Sequence, residues 1–290
     1  MCKGIVGSAV QGNDSLCPKN KPLIFTFSIL MRFSLPFTFL TILFISFLSQ
    51  PVSAQRKLVW SDEFNYEGHP DSTKWDYEVG FVRNKEPQYY THKRLENCRV
   101  ENGNLVIEAK KESYKSAGYT SASLITLGKQ EWTYGRIEAR AKVPKGIGTW
   151  PAIWMLGKNR TEVKWPHCGE IDILEFIGKD STRVFGTVHY SDSMDKYQSE
   201  GERPVVGAPY DDFHVYAAEW YPDRIEFYYD ELKYFVFDLN KSDKSSGNAF
   251  KKEFYLLLNL ALGRAGTLPG PLSDDALPSK YLVDYVRVYQ

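Results

Sequence analysis

Three carboxylates within six residues are the part of this sequence with the clearest chemical potential. Residues 169–176 read Gly-Glu-Ile-Asp-Ile-Leu-Glu-Phe, and the β-branched and aromatic residues among them predict a strand. Side chains two apart share a face of a strand, so Glu170 and Asp172 point the same way while the isoleucines that follow them point into a core. Carboxylates crowded on one face repel each other and raise at least one pKa, which lets one attack while another donates a proton.

Glu175 does not fit a regular strand. Strict alternation would bury it with the isoleucines, which is unfavourable for a carboxylate without a partner. A one-residue β-bulge near Leu174 would return Glu175 to the face of the other two acids, and bulges often re-aim a side chain beside an active site. The sequence therefore predicts a bulged strand with the carboxylate pair that glycoside hydrolysis needs. The alternatives are a strand of a calcium site and an ordinary solvated acidic face.

The residues around this strand carry a family resemblance. Residues 150–156 read Trp-Pro-Ala-Ile-Trp-Met-Leu, and residues 165–175 read Trp-Pro-His-Cys-Gly-Glu-Ile-Asp-Ile-Leu-Glu. Together they resemble the signature of glycoside hydrolase family 16, in which the bacterial laminarinases (endo-1,3-β-glucanases) carry the bulged form Glu-x-Asp-x-x-Glu. The likeness extends from about Trp60 to the last strand at 283–289. It implies a β-jelly roll with a sugar-binding cleft on its concave face and hydrolysis with retention of anomeric configuration.

The resemblance also assigns roles to the three acids. It makes Glu170 the nucleophile, Glu175 the acid/base and Asp172 the residue that holds the correct ionisation state between them. Retaining enzymes hold their two carboxyls about 5–5.5 Å apart. Four to five strand residues span more than that at about 3.3 Å each, so the bulge must shorten the path and the side chains must lean together.

Aromatic and polar residues near the acids are candidates for holding the sugar. Trp150 and Trp154 are four apart, hence on one face of a strand, and match the family's sugar-stacking tryptophans; two core rings are the alternative. Trp165, just before the acidic strand, is a third platform. His189 matches a cleft histidine on the neighbouring strand, and a structural donor is its alternative.

Three more residues complete the predicted sugar-binding set. Asn84 matches a family loop that binds sugar on the non-reducing side, although Arg83 and Lys85 depart from the family pattern there. Arg136 lies on the polar face of its predicted strand, where cleft lining and plain solvation are equally open. Asn259 lies on the polar register of residues 256–260.

The resemblance further implies a structural calcium but no cofactor for catalysis. Glu63, Gly103 and Asp284 are the matching positions, and oxygen ligands there would suit Ca²⁺ and join both chain ends. The alternative is that Asp284 caps a hairpin or pairs with Arg287.

The first 54 residues predict a secretory leader. Met31-Arg32 gives a basic start after an upstream extension, residues 33–48 form an interrupted apolar run, and Val52-Ser53-Ala54 predicts cleavage after Ala54. A transmembrane anchor is the alternative, but the run is short for a span of about 20 residues. We therefore expect residues 55–290 to be exported, whether secreted, periplasmic or at the cell surface, with no membrane span.

Residues 55–290 are long enough for one large all-β domain, which the resemblance makes the catalytic domain. The leader holds four of the 36 basic and one of the 36 acidic residues, and the remaining 32 and 35 argue against a nucleic-acid partner. We expect a monomer that binds a β-glucan. The resemblance favours free, buried thiols at Cys98 and Cys168 over a disulfide.

Turn signals every 8–14 residues, with almost no helical periodicity, predict a β-jelly-roll sandwich. The stretch 191–209 predicts a long loop at the rim of the cleft. The predicted strands cover residues 104–110, 134–143, 183–190, 213–221, 224–229, 232–237, 253–260 and 281–289.

The sequence thus predicts a retaining endo-hydrolase of internal β-1,3 bonds in laminarin-type glucans. The alternatives are the same fold acting on mixed-linkage glucan or on agar, carrageenan or porphyran, and a non-catalytic glucan-binding lectin. A lectin has no need of two carboxylates poised against a glycosidic bond.

Overall fold

Short strands build most of the described chain, and some of them, such as Gly135–Lys142, alternate apolar and polar residues. The computed structural model describes residues 56–242 and 248–290. The predicted leader, with its start at Met31 and its cleavage after Ala54, lies outside the described residues.

The described residues form seventeen strands. In chain order they are β1 (Leu58–Asp62), β2 (Asp76–Tyr77), β3 (Gln88–Tyr90), β4 (Cys98–Glu101), β5 (Asn104–Tyr114), β6 (Ala117–Ser121), β7 (Ser123–Ile125), β8 (Gly135–Lys142), β9 (Thr149–Gly157), β10 (Glu170–Glu175), β11 (Phe185–Ser191), β12 (Tyr197–Glu202), β13 (His214–Trp220), β14 (Arg224–Tyr229), β15 (Leu232–Asp238), β16 (Phe254–Leu262) and β17 (Ser279–Tyr289). A single-turn helix, α1 (Arg160–Val163), precedes β10, and short 3₁₀ turns lie at Leu239–Lys241, Ala249–Lys251 and Asp274–Ala276.

The strands form the predicted two-sheet sandwich. One sheet has the order β15-β14-β13-β8-β17-β5-β6-β3, with β1 beside β17 and β4 beside β5. The other has the order β12-β11-β10-β9-β16-β7-β2. The pairings are antiparallel except for β3 with β6, which fits chain segments joined by hairpins and Greek-key crossings.

The main core lies between the sheets and comes from alternate residues of facing strands. Strand β8 contributes Ile137 and Ala139, and the second sheet contributes Ile153, Met155 and Leu258, all of them buried. The residues that alternate with them along each strand point to the opposite face of the sheet. The acidic strand β10 is an inner strand of the second sheet, so one of its faces packs on the core and the other is free to line a cleft.

Two local details differ from or refine the sequence prediction. The stretch 191–209 is not all loop, because residues 197–202 form β12 on the edge of the second sheet. The hairpin after β14 turns at Asp230, which has a φ of 49°. Asp230 thus adopts the left-handed conformation that a glycine usually supplies in such a turn. The Asp230 carboxylate accepts a hydrogen bond of 2.8 Å from the backbone N–H of Val215, which fixes that turn.

Candidate active site

The predicted bulge is present in β10 and is confirmed by its register. Against β9, the pairing steps from Asp172 directly to Leu174, so Ile173 is an extra residue. The register with β11 shifts over the same interval. Ile173 and Leu174 are 1% and 0% exposed and both belong to the core, which returns Glu175 to the face of the other acids.

A glycine sets the direction in which the chain enters β10. Gly169 has a φ of 74°, and a Cβ placed on it would lie 2.8 Å from the Cβ of Ala249 and 2.9 Å from the Phe254 ring. Other residues would be both strained and crowded at this position. Glycine therefore allows the chain to pass close to Ala249 and Phe254 just before β10 begins at Glu170.

A second, smaller apolar cluster lies on the cleft face of the sheet. It contains Trp154, Leu156 and Tyr255 together with Cys168, whose thiol is free and buried. Cys98 is also free and lies in the main core, so the expectation of two unpaired, buried thiols is confirmed. The smaller cluster gives the cleft an apolar floor beside the acids.

Indole N–H groups hold the two glutamates. Trp165 Nε1 donates a hydrogen bond of 2.8 Å to Glu170 Oε2, and Trp150 Nε1 donates one of 2.9 Å to Glu175 Oε1. Such bonds to a carboxylate are stronger than those between neutral groups. The two tryptophans were predicted as sugar platforms; the structure adds that each one positions a glutamate.

His189 lies beside the middle acid. The structure pairs it across the strands with Glu170, and its Nε2 lies 3.1 Å from Asp172 Oδ2. The contact is close but not aligned as a hydrogen bond, and this buried carboxylate oxygen has no other partner. One ligand atom from each of Glu170, Asp172 and His189 lies within 4.8 Å of the others, so the predicted constellation does converge.

Burial raises the pKa of all three acids. It raises the pKa of Glu170 to about 8, and the neighbouring charge of Asp172 adds to this. Burial raises the pKa of Glu175 to about 7, against the opposing hydrogen bond from Trp150. Burial and the charge of Glu175 also raise the pKa of Asp172 well above its usual range. The cluster therefore carries protons at neutral pH, as a general acid requires.

A cavity of about 590 Å³ extends along the acids. Five predicted sugar-binding residues line it, namely Asn84, Trp150, Trp154, Trp165 and His189. Asn259 lines an adjoining pocket of about 60 Å³ with Asp172 and Glu175. The structure thus brings six of the seven predicted sugar-binding residues to one cleft.

Arg136 is the exception, and the prediction that it lines the cleft is wrong. It lies on β8 in the other sheet, where its guanidinium bonds Glu138 at 2.7 Å and Glu219 at 3.1 Å. The strand does have a polar face, as its alternation predicts, but that face points away from the core on the side opposite the cleft.

Trp154 combines the two alternatives considered for it. Its ring lines the cavity yet is only 7% exposed, and its Nε1 donates a hydrogen bond of 2.7 Å to Asn259 Oδ1. The Arg83 guanidinium lies 4.8 Å from the ring centroid and is ion-paired with the buried Glu78. Arg83, which the sequence marked only as a departure from the family pattern, is therefore part of the cleft wall.

Other cleft residues were missed at the sequence level. Tyr197 lines the cavity from β12, the stretch predicted as loop. Arg160 and Lys164 line it from α1 and the residue after that helix. The exposed polar residues of β12 gave no alternation of apolar and polar side chains, and a one-turn helix is too short to show a period.

The predicted calcium ligands lie on or next to three neighbouring strands, β1, β5 and β17. Glu63 follows β1, Gly103 lies in the turn before β5, and Asp284 lies where β17 passes from pairing with β5 to pairing with β1. Two carboxylates and a carbonyl are a donor set that suits Ca²⁺.

Both carboxylates of that set also have arginine partners. Arg287 donates hydrogen bonds of 3.0 and 2.8 Å to Glu63, and Arg140 donates one of 2.7 Å to Asp284. Asp284 therefore pairs with an arginine, but with Arg140 and not with Arg287 as considered above. A calcium here would compete with these guanidiniums.

Within residues 56–242 and 248–290, the structure contains no helix long and apolar enough to cross a membrane.

Buried carboxyls that converge in a cleft are the arrangement that glycoside hydrolases use. The model of the family "Glycosyl hydrolases family 16" matches residues 85–262. The beta-glucanase of Rhodothermus marinus is 44% identical over 245 residues, which cover 81% of this chain and 85% of that protein. The chain belongs to glycoside hydrolase family 16.

Solved structures give the same result. The laminarinase from Rhodothermus marinus aligns with a TM-score of 0.75 and 45% identity, covering 81% of this chain and 97% of that one. A LamA variant from Zobellia galactanivorans, in complex with laminaritriose and laminaritetraose, aligns with a TM-score of 0.73 and 39% identity over 81% of this chain and 99% of that one.

The raised pKa of Glu170 predicts a pH-dependent gain of stability in Glu170→Gln. Between its usual pKa near 4.5 and about 8, the unfolded chain releases this proton while the folded protein retains it, so folding becomes less favourable as pH rises. The amide removes that cost. We expect the melting temperature of Glu170→Gln to exceed that of the wild type by a margin that grows to several °C from pH 5.5 to 8.5, as measured by calorimetry.

Glu112→Gln is the matched control. Hydrogen bonds from Arg94 lower the pKa of Glu112 to about 2, so its contribution to stability is complete above the usual glutamate pKa. This control should therefore lose a constant amount between pH 5.5 and 8.5. A difference between Glu170→Gln and the wild type that is equally flat over this range would contradict the prediction.

Proposed function

We propose that this protein hydrolyses internal β-1,3 bonds of laminarin-type β-glucans with net retention of configuration. The single observation that carries the proposal is the bulged strand β10, on which Glu170, Asp172 and Glu175 share one face; the two glutamates line the cleft and all three line the adjoining pocket. The names of the related laminarinases, and the laminari-oligosaccharides bound by LamA, support this choice of substrate.

The proposed reaction has two steps. Glu170 attacks the anomeric carbon and forms a glycosyl-enzyme ester, while Glu175 gives its proton to the departing glycosidic oxygen. In the second step Glu175, now ionised, removes a proton from water as the water attacks the same carbon. The ester to Glu170 breaks, and two inversions give retention.

The neighbours of each glutamate suit these roles. The indole N–H groups of Trp165 and Trp150 can stay with the carboxylates through both steps, because a carboxyl keeps an acceptor lone pair in either protonation state. Asp172 and the two glutamates titrate as one coupled group. When this group loses one proton, the negative charge is shared among the three carboxyls. This chemistry is complete with the carboxyls and water.

Substrate assays separate the proposal from its alternatives. Reducing ends should appear quickly with laminarin, more slowly with barley glucan and hardly at all with agarose. A galactanase would reverse this order. A glucan-binding lectin would bind laminarin and release no reducing ends.

Azide rescue tests the roles of the two glutamates. Glu170→Ala has no carboxylate to form the glycosyl-enzyme, so activity on laminarin should fall by several orders of magnitude. Azide entering from the vacated side should then give a product of inverted configuration. Glu175→Ala should keep most of its activity on aryl glycosides, because their phenolate leaves without much protonation. With these substrates, azide should give a glycosyl azide of retained configuration. The anomer is read by proton NMR.

Asp172→Asn serves as the comparison for both. It should fold normally, lower the rate less than either glutamate change and move the acidic limb of the pH–rate profile to lower pH, because the charge of Asp172 raises the pKa of Glu170. Products of the same anomer from both glutamate variants would overturn the roles. Full activity in Glu170→Ala would overturn the enzyme proposal.

We also propose that the protein is exported after cleavage behind Ala54. The basic start at Met31-Arg32 and the apolar run followed by Val52-Ser53-Ala54 support this. Sequencing the exported protein should give an N-terminus at Gln55. Recovery of the protein with residues 31–54 retained would contradict the proposal.

We propose, finally, that Glu63, the Gly103 carbonyl and Asp284 bind a structural calcium in exchange for their arginine partners. Calcium should then raise the melting temperature by several °C, EGTA should reverse this, and Glu63→Gln should abolish it. Arg287→Gln is the control, since removing the competing guanidinium should enlarge the calcium effect. Melting curves that are the same in calcium and in EGTA for all three proteins would exclude the site.

A further inference from the structure

An exposed tyrosine on the edge strand touches the active-site histidine. The hydroxyl of Tyr197 on β12 lies 2.8 Å from Nδ1 of His189 on β11. The two rings are stacked, with an angle of 5° between their planes and 5.9 Å between their centroids. The Tyr197 ring also lies 5.0 Å from the ring of Trp165, which lies 6.1 Å from the ring of His189 and donates a hydrogen bond to Glu170.

The contacts of His189 connect this tyrosine to the catalytic acids. One ring nitrogen faces Tyr197, and the other lies 3.1 Å from Asp172 Oδ2, a buried oxygen with no other partner. An ionised carboxylate can only accept, so Nε2 must carry the proton when Asp172 is charged. In a neutral imidazole Nδ1 is then the acceptor, and the Tyr197 hydroxyl must donate to it.

The geometry points to Tyr197 as a positioning residue for the triplet. We infer that its hydroxyl holds His189 in the tautomer and the ring orientation that present Nε2–H to Asp172, and thereby stabilises the ionised state of the triplet. Tyr197 acts through His189, and the bond in question is O–H to Nδ1. A substrate in the cleft tightens the Nε2 contact, as hydrogen bonds of active sites commonly do.

Few other groups can perform this task. The titratable groups that face His189 and Asp172 are Glu170 and Glu175 on β10, and the buried hydroxyl of Tyr234 on β15 faces Asp172 from beside Gly186. The two glutamates attract a positive charge on His189, but neither contacts Nδ1. The hydroxyl of Tyr197 is thus the hydrogen-bond partner that this nitrogen has among the described residues.

Tyr197→Phe tests the inference because it removes the hydroxyl and keeps the ring that lines the cleft. With laminarin we expect KM to stay within about twofold, since the ring face remains. The ionised triplet loses its donor, so the acidic limb of kcat should move to higher pH. A shift of one unit lowers kcat about tenfold at pH values well below the acidic limb and leaves it nearly unchanged well above the limb.

Tyr190→Phe is the matched control. The Tyr190 hydroxyl also joins β11 to β12, with a hydrogen bond of 2.7 Å to Glu200, but on the opposite face from the acids. This variant should keep the pH profile of the wild type. If Tyr190→Phe shifts the acidic limb as much as Tyr197→Phe does, the effect belongs to hairpin stability and the inference falls.

Nitrogen-15 NMR of the histidines gives a readout without turnover. At pH 8, His189, assigned by its loss in His189→Gln, should carry its proton on Nε2 in the wild type and shift toward a mixture of tautomers in Tyr197→Phe. An unchanged tautomer together with an unchanged pH profile would overturn the inference. The kinetic arm rests on the proposed function; if the wild type hydrolyses no glucan, that function fails, while the NMR arm still tests Tyr197.

Discussion

The cleft depends on keeping three carboxylates on one face of an inner strand whose other face is core. A regular strand could do this only with acids at every second position. The sequence instead separates Asp172 from Glu175 by two apolar residues, and both of these are buried. The extra residue Ile173 reconciles the two demands, since it sends two successive apolar side chains into the core and turns Glu175 back to the cleft.

Burying three carboxyls on one strand costs free energy, because each is desolvated and the negative charge of one raises the pKa of the others. Hydrogen-bond donors around the strand reduce that cost. The polar groups that face the acids come from three different segments. Trp150 comes from β9, His189 from β11, and Trp165 from the turn that leads into β10. The apolar cluster on the cleft face packs β9 against β16 beside the acids.

Much of this could be predicted from the sequence, and the reasons for success and failure are physical. Acids in an apolar strand are so unfavourable that their presence predicts function, and their spacing predicts the bulge. Alternation in β8 predicted a polar face correctly, but it cannot say to which sheet a strand belongs, and Arg136 was therefore misplaced. Strand β12 was missed because its side chains are mostly exposed and it contributes little to the core.

The indole donors show a different limit of pattern reading. A tryptophan near a sugar site predicts a stacking ring, whereas the N–H direction depends on a rotamer that only packing decides. In Trp150 and Trp165 the edge that carries the N–H points at a glutamate, which leaves the ring faces for the cleft. One side chain can thus hold a glutamate carboxyl by its edge while its ring lines the cleft. Substituting either residue should consequently disturb substrate binding and the ionisation of the acids together, which ties the shape of this cleft to its chemistry.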